Sequence, residues 1–164
     1  MQLEEFFDYK NKLMEDLLTN EPIIRLIDDD ISLEKAGALA YSQVFPCEYI
    51  PDTVEHGDTY VCFDVDIQGT EFKTFLYPIL YVWVFTHRSK LRLPEGGVRT
   101  DKLCSEICKA INGSHEYGLG ELSLYSVKRF APMTDFQGKV MVFRAKDFNR
   151  QSDPKRPIPS NRKA

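Results

Sequence analysis

The sequence lacks any apolar run long enough to cross a membrane. Its most apolar stretch, residues 76–88, falls short of the roughly 20 residues that a spanning helix needs, and Pro78 interrupts it. The chain opens with the acidic run Met1-Gln-Leu-Glu-Glu, and no apolar segment of a secretory leader follows. We therefore expect cytoplasmic synthesis and no membrane partner.

Motifs that support catalysis are also missing. The Gly-Gly pair at positions 96 and 97 has neither the wider glycine spacing nor the Lys-Ser/Thr of a P-loop. No dinucleotide fingerprint is present, nor any Ser/His/Asp or Cys/His arrangement at a recognisable motif. The sequence therefore predicts a protein that is not an enzyme and has no cofactor.

Cysteine and histidine are scarce, with four and three residues. Cys104 and Cys108 are four residues apart and share a predicted helix face, but no second Cys or His pair completes a zinc site. Both cysteines lie on an apolar stripe, where a thiol packs as a small hydrophobic group. We predict reduced cysteines and no metal.

Charge is present but unevenly distributed. The chain has a net charge of −4, yet residues 150–164 contain five basic residues and one acidic residue, so residues 1–149 carry −8. An acidic body argues against a dedicated duplex-DNA binder. We predict one domain over residues 1–149 and a basic, disordered tail over residues 150–164.

We predict that residues 79–86 form the central strand, because they are rich in β-branched and aromatic side chains. Alternation places Ile79, Tyr81, Trp83 and Phe85 on one face and Leu80, Val82, Val84 and Thr86 on the other. Both faces are apolar. We therefore expect helices to cover one face and a partner subunit or second layer to cover the other.

The remaining pattern predicts an α+β fold. An amphipathic helix over residues 3–18 precedes a short helix capped by Asn20. Residues 59–67 are predicted to form a strand with Asp64 and Asp66 pointing outward. The next predicted helix is capped by Thr100 and ends near Gly113. Alternating strands over residues 122–130 and 139–145 complete an antiparallel four-stranded sheet in the order α-α-β-β-α-β-β.

Three polar groups allow more than one interpretation. Asp52, Glu71 and Lys73 follow the loose order of a metal-dependent nuclease, although the pattern is degenerate. Asp64 and Asp66 fit a metal or acid–base pair, but an exposed strand face explains them more simply. A basic loop follows the central strand, and a protein contact is favoured there over nucleic-acid reading; its residues are His87, Arg88, Lys90, Arg92 and Arg99.

Several stretches together resemble the tail-terminator, or tail-completion, proteins of long-tailed bacteriophages and prophages. Residues 17–27 resemble the family's opening "LL-x-N-x-x-I-x-x-L" helix pair, and residues 79–88 resemble its Trp-containing strand. The resemblance extends over about residues 10–149. The other stretches that carry it are residues 60–65, 98–113 and 144–149.

The resemblance implies a structural neck protein of the virion, assembled in the host cytoplasm. Such proteins form a homo-hexameric ring on the tail tube protein, end tube polymerisation and meet the head-completion or connector protein. DNA passes through the lumen without sequence recognition. A head-closure or adaptor protein is the alternative, and a nuclease the remote one. We predict subunit or tube contacts at Asp64, Asp66, Glu71, Lys73, Arg88, Lys90 and Arg92.

Overall fold

The computed structural model describes residues 3–50, 57–69 and 74–150. Its helices are α1 (Leu3–Thr19), α2 (Glu21–Ile27) and α3 (Arg99–Ile111), with short 3-10 segments at Leu33–Leu39 and Arg88–Lys90. Its strands are β1 (Val44–Phe45), β2 (Thr59–Gly69), β3 (Phe75–His87), β4 (Ser123–Phe130), β5 (Phe136–Arg144) and β6 (Asp147–Phe148).

The strands form one sheet in the order β1-β2-β3-β5-β4, and β6 pairs with the beginning of β3. The four long strands are antiparallel to their neighbours, which confirms the predicted α+β fold and its order of long elements. The two-residue strands β1 and β6 were not predicted. β1 runs parallel to β2 and forms one end of the strand order, whereas β4 forms the other.

The helices bury their apolar stripes against one side of this sheet, which we call the helix face. Its strand residues are those predicted to alternate inward, including Val61 and Phe63 of β2 and Val82 and Val84 of β3. They form one cluster with α1, α2 and α3 residues such as Leu103. Burial of this layer supplies the main driving force for folding.

Local capping explains where two of the helices begin. The Asn20 side chain accepts a hydrogen bond from the Ile23 N–H at 3.3 Å, so the predicted cap of α2 is confirmed. The predicted Thr100 cap of α3 is wrong. The helix begins at Arg99 after the cap residue Val98, and Thr100 is buried inside its first turn.

Strand β4 departs from simple alternation. Its register against β5 shifts between Leu124 and Ser126, which leaves Tyr125 as the extra residue of a β-bulge. Leu124 and Val127 therefore point to the same side of the sheet, although alternation predicts opposite sides. Sequence periodicity cannot detect such an insertion. The bulge changes the sheet face on which each later side chain of β4 lies, but the order of apolar and polar residues stays the same.

The sheet leaves no space for a side chain at Gly138, which predicts that Gly138→Ala is strongly destabilising. An added Cβ would overlap the Val84 carbonyl oxygen and lie 2.6 Å from the Phe85 Cα. We expect a loss of about 2–3 kcal/mol or more in the free energy of unfolding, measured by urea denaturation. Gly37→Ala is the matched control, because nothing lies within 4 Å of its added Cβ. Equal stability of the two variants would contradict this packing.

Candidate functional site

The sheet side opposite the helices is the candidate interaction surface, and we call it the open face. Tyr81 and Trp83 stack at its centre with ring centroids 5.7 Å apart and planes inclined by 17°. Val140 pairs with Trp83 and Val142 pairs with Tyr81 in the adjacent strand. All four side chains are half-buried. The helices in the described part of the chain pack on the other side, so this apolar centre has no helix over it.

One end of the open face is closed by an aromatic cluster. Tyr60 and Phe85 stack with centroids 5.3 Å apart, and Phe136 meets Phe85 edge-on at 5.9 Å. Phe45 and Tyr49 stack at 4.0 Å and extend the cluster from the β1 side. Burial raises the pKa of the Tyr60 phenol to about 12. This end is a small second core, and the half-buried Trp83 side chain packs against it.

The two strand carboxylates have different environments. Asp64 accepts a hydrogen bond from the Tyr9 hydroxyl at 3.2 Å and pairs with the Lys10 ammonium at 3.3 Å. Asp64 Oδ1 also accepts a hydrogen bond from the Val65 backbone N–H at 2.9 Å. This bond gives the N–H a partner in a part of β2 that the short strand β1 does not reach. Asp66 is exposed. Asp64 therefore joins α1 to the sheet edge, and burial together with this carboxylate raises the pKa of Tyr9.

Other predicted positions fall outside the described residues. Glu71 and Lys73 of the predicted contact set lie there, as does Asp52. The proposed nuclease triad of Asp52, Glu71 and Lys73 is therefore wholly outside the described part of the chain. The described residues contain no group of three or more His, Cys, Asp and Glu side chains that could hold a metal ion.

The basic loop after β3 is largely paired with acidic side chains. Arg88 lies 3.3 Å from Asp135, and Lys90 lies 3.0 Å from Asp58. Arg92 is exposed, and its backbone forms an isolated bridge with Val98. These contacts leave less free positive charge than the sequence suggests. The prediction that Arg88, Lys90 and Arg92 contact a partner stays a prediction.

Arg99 has a structural role that the sequence did not reveal. Its side chain is buried, and its guanidinium forms a two-pronged pair with Asp29 at 3.2 and 2.8 Å. The same group donates to the Leu26 carbonyl at 2.9 Å and the Lys90 carbonyl at 2.8 Å. Arg99 thus links the end of α2, the loop after β3 and the beginning of α3.

A groove of about 720 Å³ lies between α3 and β4. Its apolar lining is formed by Cys104 and Cys108 of α3 together with Leu124, Val127 and Met141. Burial raises the pKa of the Cys104 thiol to about 12, so this cysteine behaves as a packing group, as predicted from its stripe. Sequence alternation does not predict the groove, because the bulge in β4 turns Val127 to the helix face.

No helix among the described residues is long and apolar enough to span a membrane. The comparison with protein families relates the chain to a phage-type family. The family model YomW matches residues 11–145, and the chain therefore belongs to the YomW family.

Comparison with solved structures finds a chain from the "Virion of native gene transfer agent (GTA) particle". That chain is 16% identical, with a TM-score of 0.43, and the match covers 76% of this chain and 91% of the other. A likeness at this level indicates no shared role or partner. No curated protein matches the sequence.

The Arg99 contacts predict that Arg99→Met is strongly destabilising. The substitution leaves two backbone carbonyls and the Asp29 carboxylate without their charged partner, and we expect a loss of about 2–4 kcal/mol in unfolding free energy. Asp29→Asn is the matched control. It should cost less, because the bonds from Arg99 to Leu26 and Lys90 remain. Chemical denaturation of both variants tests the order, and a larger loss for Asp29→Asn would contradict it.

The burial of two thiols predicts selective alkylation of the folded chain. Burial raises the pKa of Cys62 and of Cys104 from 9.0 to about 12, so each thiolate is about a thousandfold rarer than at an ordinary cysteine. Cys47 is exposed. Iodoacetamide at about pH 8 should label Cys47 and spare Cys62 and Cys104, as read by peptide mapping. Denatured chain, in which all three react, is the control, and labelling of Cys62 as fast as Cys47 would refute the packing.

Proposed function

We propose that this chain is a structural virion protein that caps the phage tail tube as a homo-hexameric ring. In this role it ends polymerisation of the tail tube protein and provides the joint to the head-completion or connector protein. It resides at the tail–neck junction in the virion and in the host cytoplasm during assembly. Membership of a phage-type family and the resemblance of residues 10–149 to tail terminators support this role.

The observation that carries the proposal is the apolar centre of the open face. Tyr81 and Trp83 stack there beside Val140 and Val142, and no described helix packs over them. Contiguous apolar surface of this kind marks protein interaction sites. A subunit in a ring has two neighbours and a tube beneath it, so it needs interaction surface on more than one side.

The charge of the chain suits passage of DNA without retention. Residues 1–149 carry a net charge of −8, and like charges repel a polyanion. The ion pairs of Arg88 and Lys90 lower the free positive charge of the one loop that looked basic in the sequence. DNA in the lumen therefore needs no sequence-specific contact with this protein.

Contact residues are proposed among the side chains that remain accessible in the described part of the chain. Asp66 and Arg92 are exposed, and the Arg88 side chain is 74% exposed despite its ion pair. Asp64 and Lys90 are partly engaged within the subunit and contribute less. Glu71 and Lys73, which lie outside the described residues, complete the proposed set.

The proposal predicts that purified phage particles contain a small, fixed number of copies of this chain. Quantitative mass spectrometry of particles, with other neck proteins as internal standards, measures that number. Deletion of the gene should produce overlong tails, because nothing stops tube growth. A plasmid copy of the intact gene is the control and should restore tail length.

Two results separate this role from its neighbours. Normal-length tails that fail to join heads would replace the terminator role by that of a head-closure protein. Absence of the chain from particles would reject a structural role altogether. A metal-dependent nuclease assay on Asp52→Ala and Glu71→Ala variants would then be the next experiment.

A further inference from the structure

The open face carries large side chains on one strand and small side chains on the next. Tyr81 and Trp83 of β3 pair across the sheet with Val142 and Val140 of β5. All four side chains are half-buried, so each keeps part of its apolar surface accessible. A surface that is raised along β3 and lower along β5 fits a second surface with the reverse relief, because packed sheets interdigitate their side chains.

Charge follows the same division of the open face. The charged open-face positions of β2 are Asp64 and Asp66, whereas those of β4 and β5 are Lys128 and Arg144. Lys10 of α1 pairs with Asp64 at 3.3 Å, which leaves Asp66 as the exposed acid of this flank. Asp66, Lys128 and Arg144 are exposed and have no ion pair with another described residue. One flank of the face is therefore acidic and the other is basic.

We infer that two copies of this chain pair through their open faces, as a sheet-on-sheet dimer around a two-fold axis parallel to the strands. The axis runs midway between β3 and β5, so β3 of each copy lies over β5 of the other. Tyr81 and Trp83 then pack on Val142 and Val140 of the second copy, large groups against small ones. Sheets stacked face to face lie about 10 Å apart, a distance that such side chains fill.

The same axis pairs the charges of the two flanks. Asp66 and Arg144 lie in one row of the register, on either side of Ile79. The rotation exchanges the flanks but keeps the rows, so each Asp66 faces the Arg144 flank of the other copy, and the dimer contains this contact twice. A two-fold axis across the strands would place β2 over β2 and bring like charges together. Charge therefore selects one of the two face-to-face arrangements.

This dimer is a state of the free chain and goes beyond the ring proposed above. A two-fold contact uses the same surface on both copies, so it closes at two copies and leaves no open face for a third. Each contact in a ring joins unlike surfaces instead. Because the dimer occupies the Tyr81–Trp83 centre, its two copies must separate before that centre contacts a ring neighbour.

Charge reversal tests the arrangement. Asp66→Arg and Arg144→Asp each replace two attractive contacts by two repulsive ones, so each variant alone should dimerise at least about 10-fold more weakly than the parent. An equal mixture should form heterodimers with an affinity within about threefold of the parent's, because the new arginine of one chain then faces the new aspartate of the other. Sedimentation velocity and native mass spectrometry measure the species.

Trp83 reports the contact directly, because it is the chain's sole tryptophan. As the parent is concentrated and dimerises, Trp83 emission should shift to shorter wavelength and acrylamide should quench it less. Arg129→Asp is the matched control, because Arg129 pairs with Lys139 on the helix face of β4. This variant should dimerise like the parent. Asp66 and Arg144 are exposed, and circular dichroism and thermal unfolding must match the parent for every variant.

Three outcomes overturn the inference. These are a parent chain that stays monomeric up to its solubility limit, single variants that dimerise like the parent, or an equal mixture that stays monomeric. In a monomeric parent, Trp83 that resists acrylamide at every concentration assigns the open face to a cover within the chain, and readily quenched Trp83 assigns it to a different partner. The copy number of the chain in particles decides the virion role separately.

Discussion

The structure depends on one strand that is apolar on both sides. β3 pairs with β2 along one edge and with β5 along the other, so its backbone groups are satisfied within the sheet. Its side chains must be kept from water on two faces. In the described part of the chain, the helices bury Leu80, Val82 and Val84 on one face, while the aromatic cluster covers the Phe85 end of the other and packs against Trp83. Tyr81 and Trp83 stay half-buried on that second face.

The helix layer is fixed to this sheet by a few polar contacts at its rim. Arg99 joins α2, the loop after β3 and α3 through charged hydrogen bonds that are worth more when shielded from water. Asp64 similarly ties α1 to the outer edge of β2. These groups looked in the sequence like parts of a basic loop and an acidic strand face. In the structure, their charges hold helices and strands in position. Their residue types alone could not predict this role, because it depends on partners that are distant in the sequence.

The sequence predicted the parts of the fold that follow from local periodicity. The alternation in β2 and β3 assigned each side chain to its face, and the Asn20 cap marked where α2 begins. It did not reveal the bulge in β4 or the placement of β5 between β3 and β4, because both depend on pairing with distant residues. Tyr41 has a φ of 58°, and this left-handed backbone was equally hidden, since glycine or asparagine is the usual signal for that conformation.

The same bulge shapes the surface beside β4. A regular β4 would present Leu124 and Val127 on opposite sides, and the α3–β4 groove would lose one of its five apolar lining residues. A bulged, basic edge strand also resists indiscriminate strand pairing, because charge and irregular backbone disfavour addition of another sheet edge. Pairing of strands from other chains at this edge is therefore disfavoured, and the apolar surface that remains beside β4 is the α3–β4 groove.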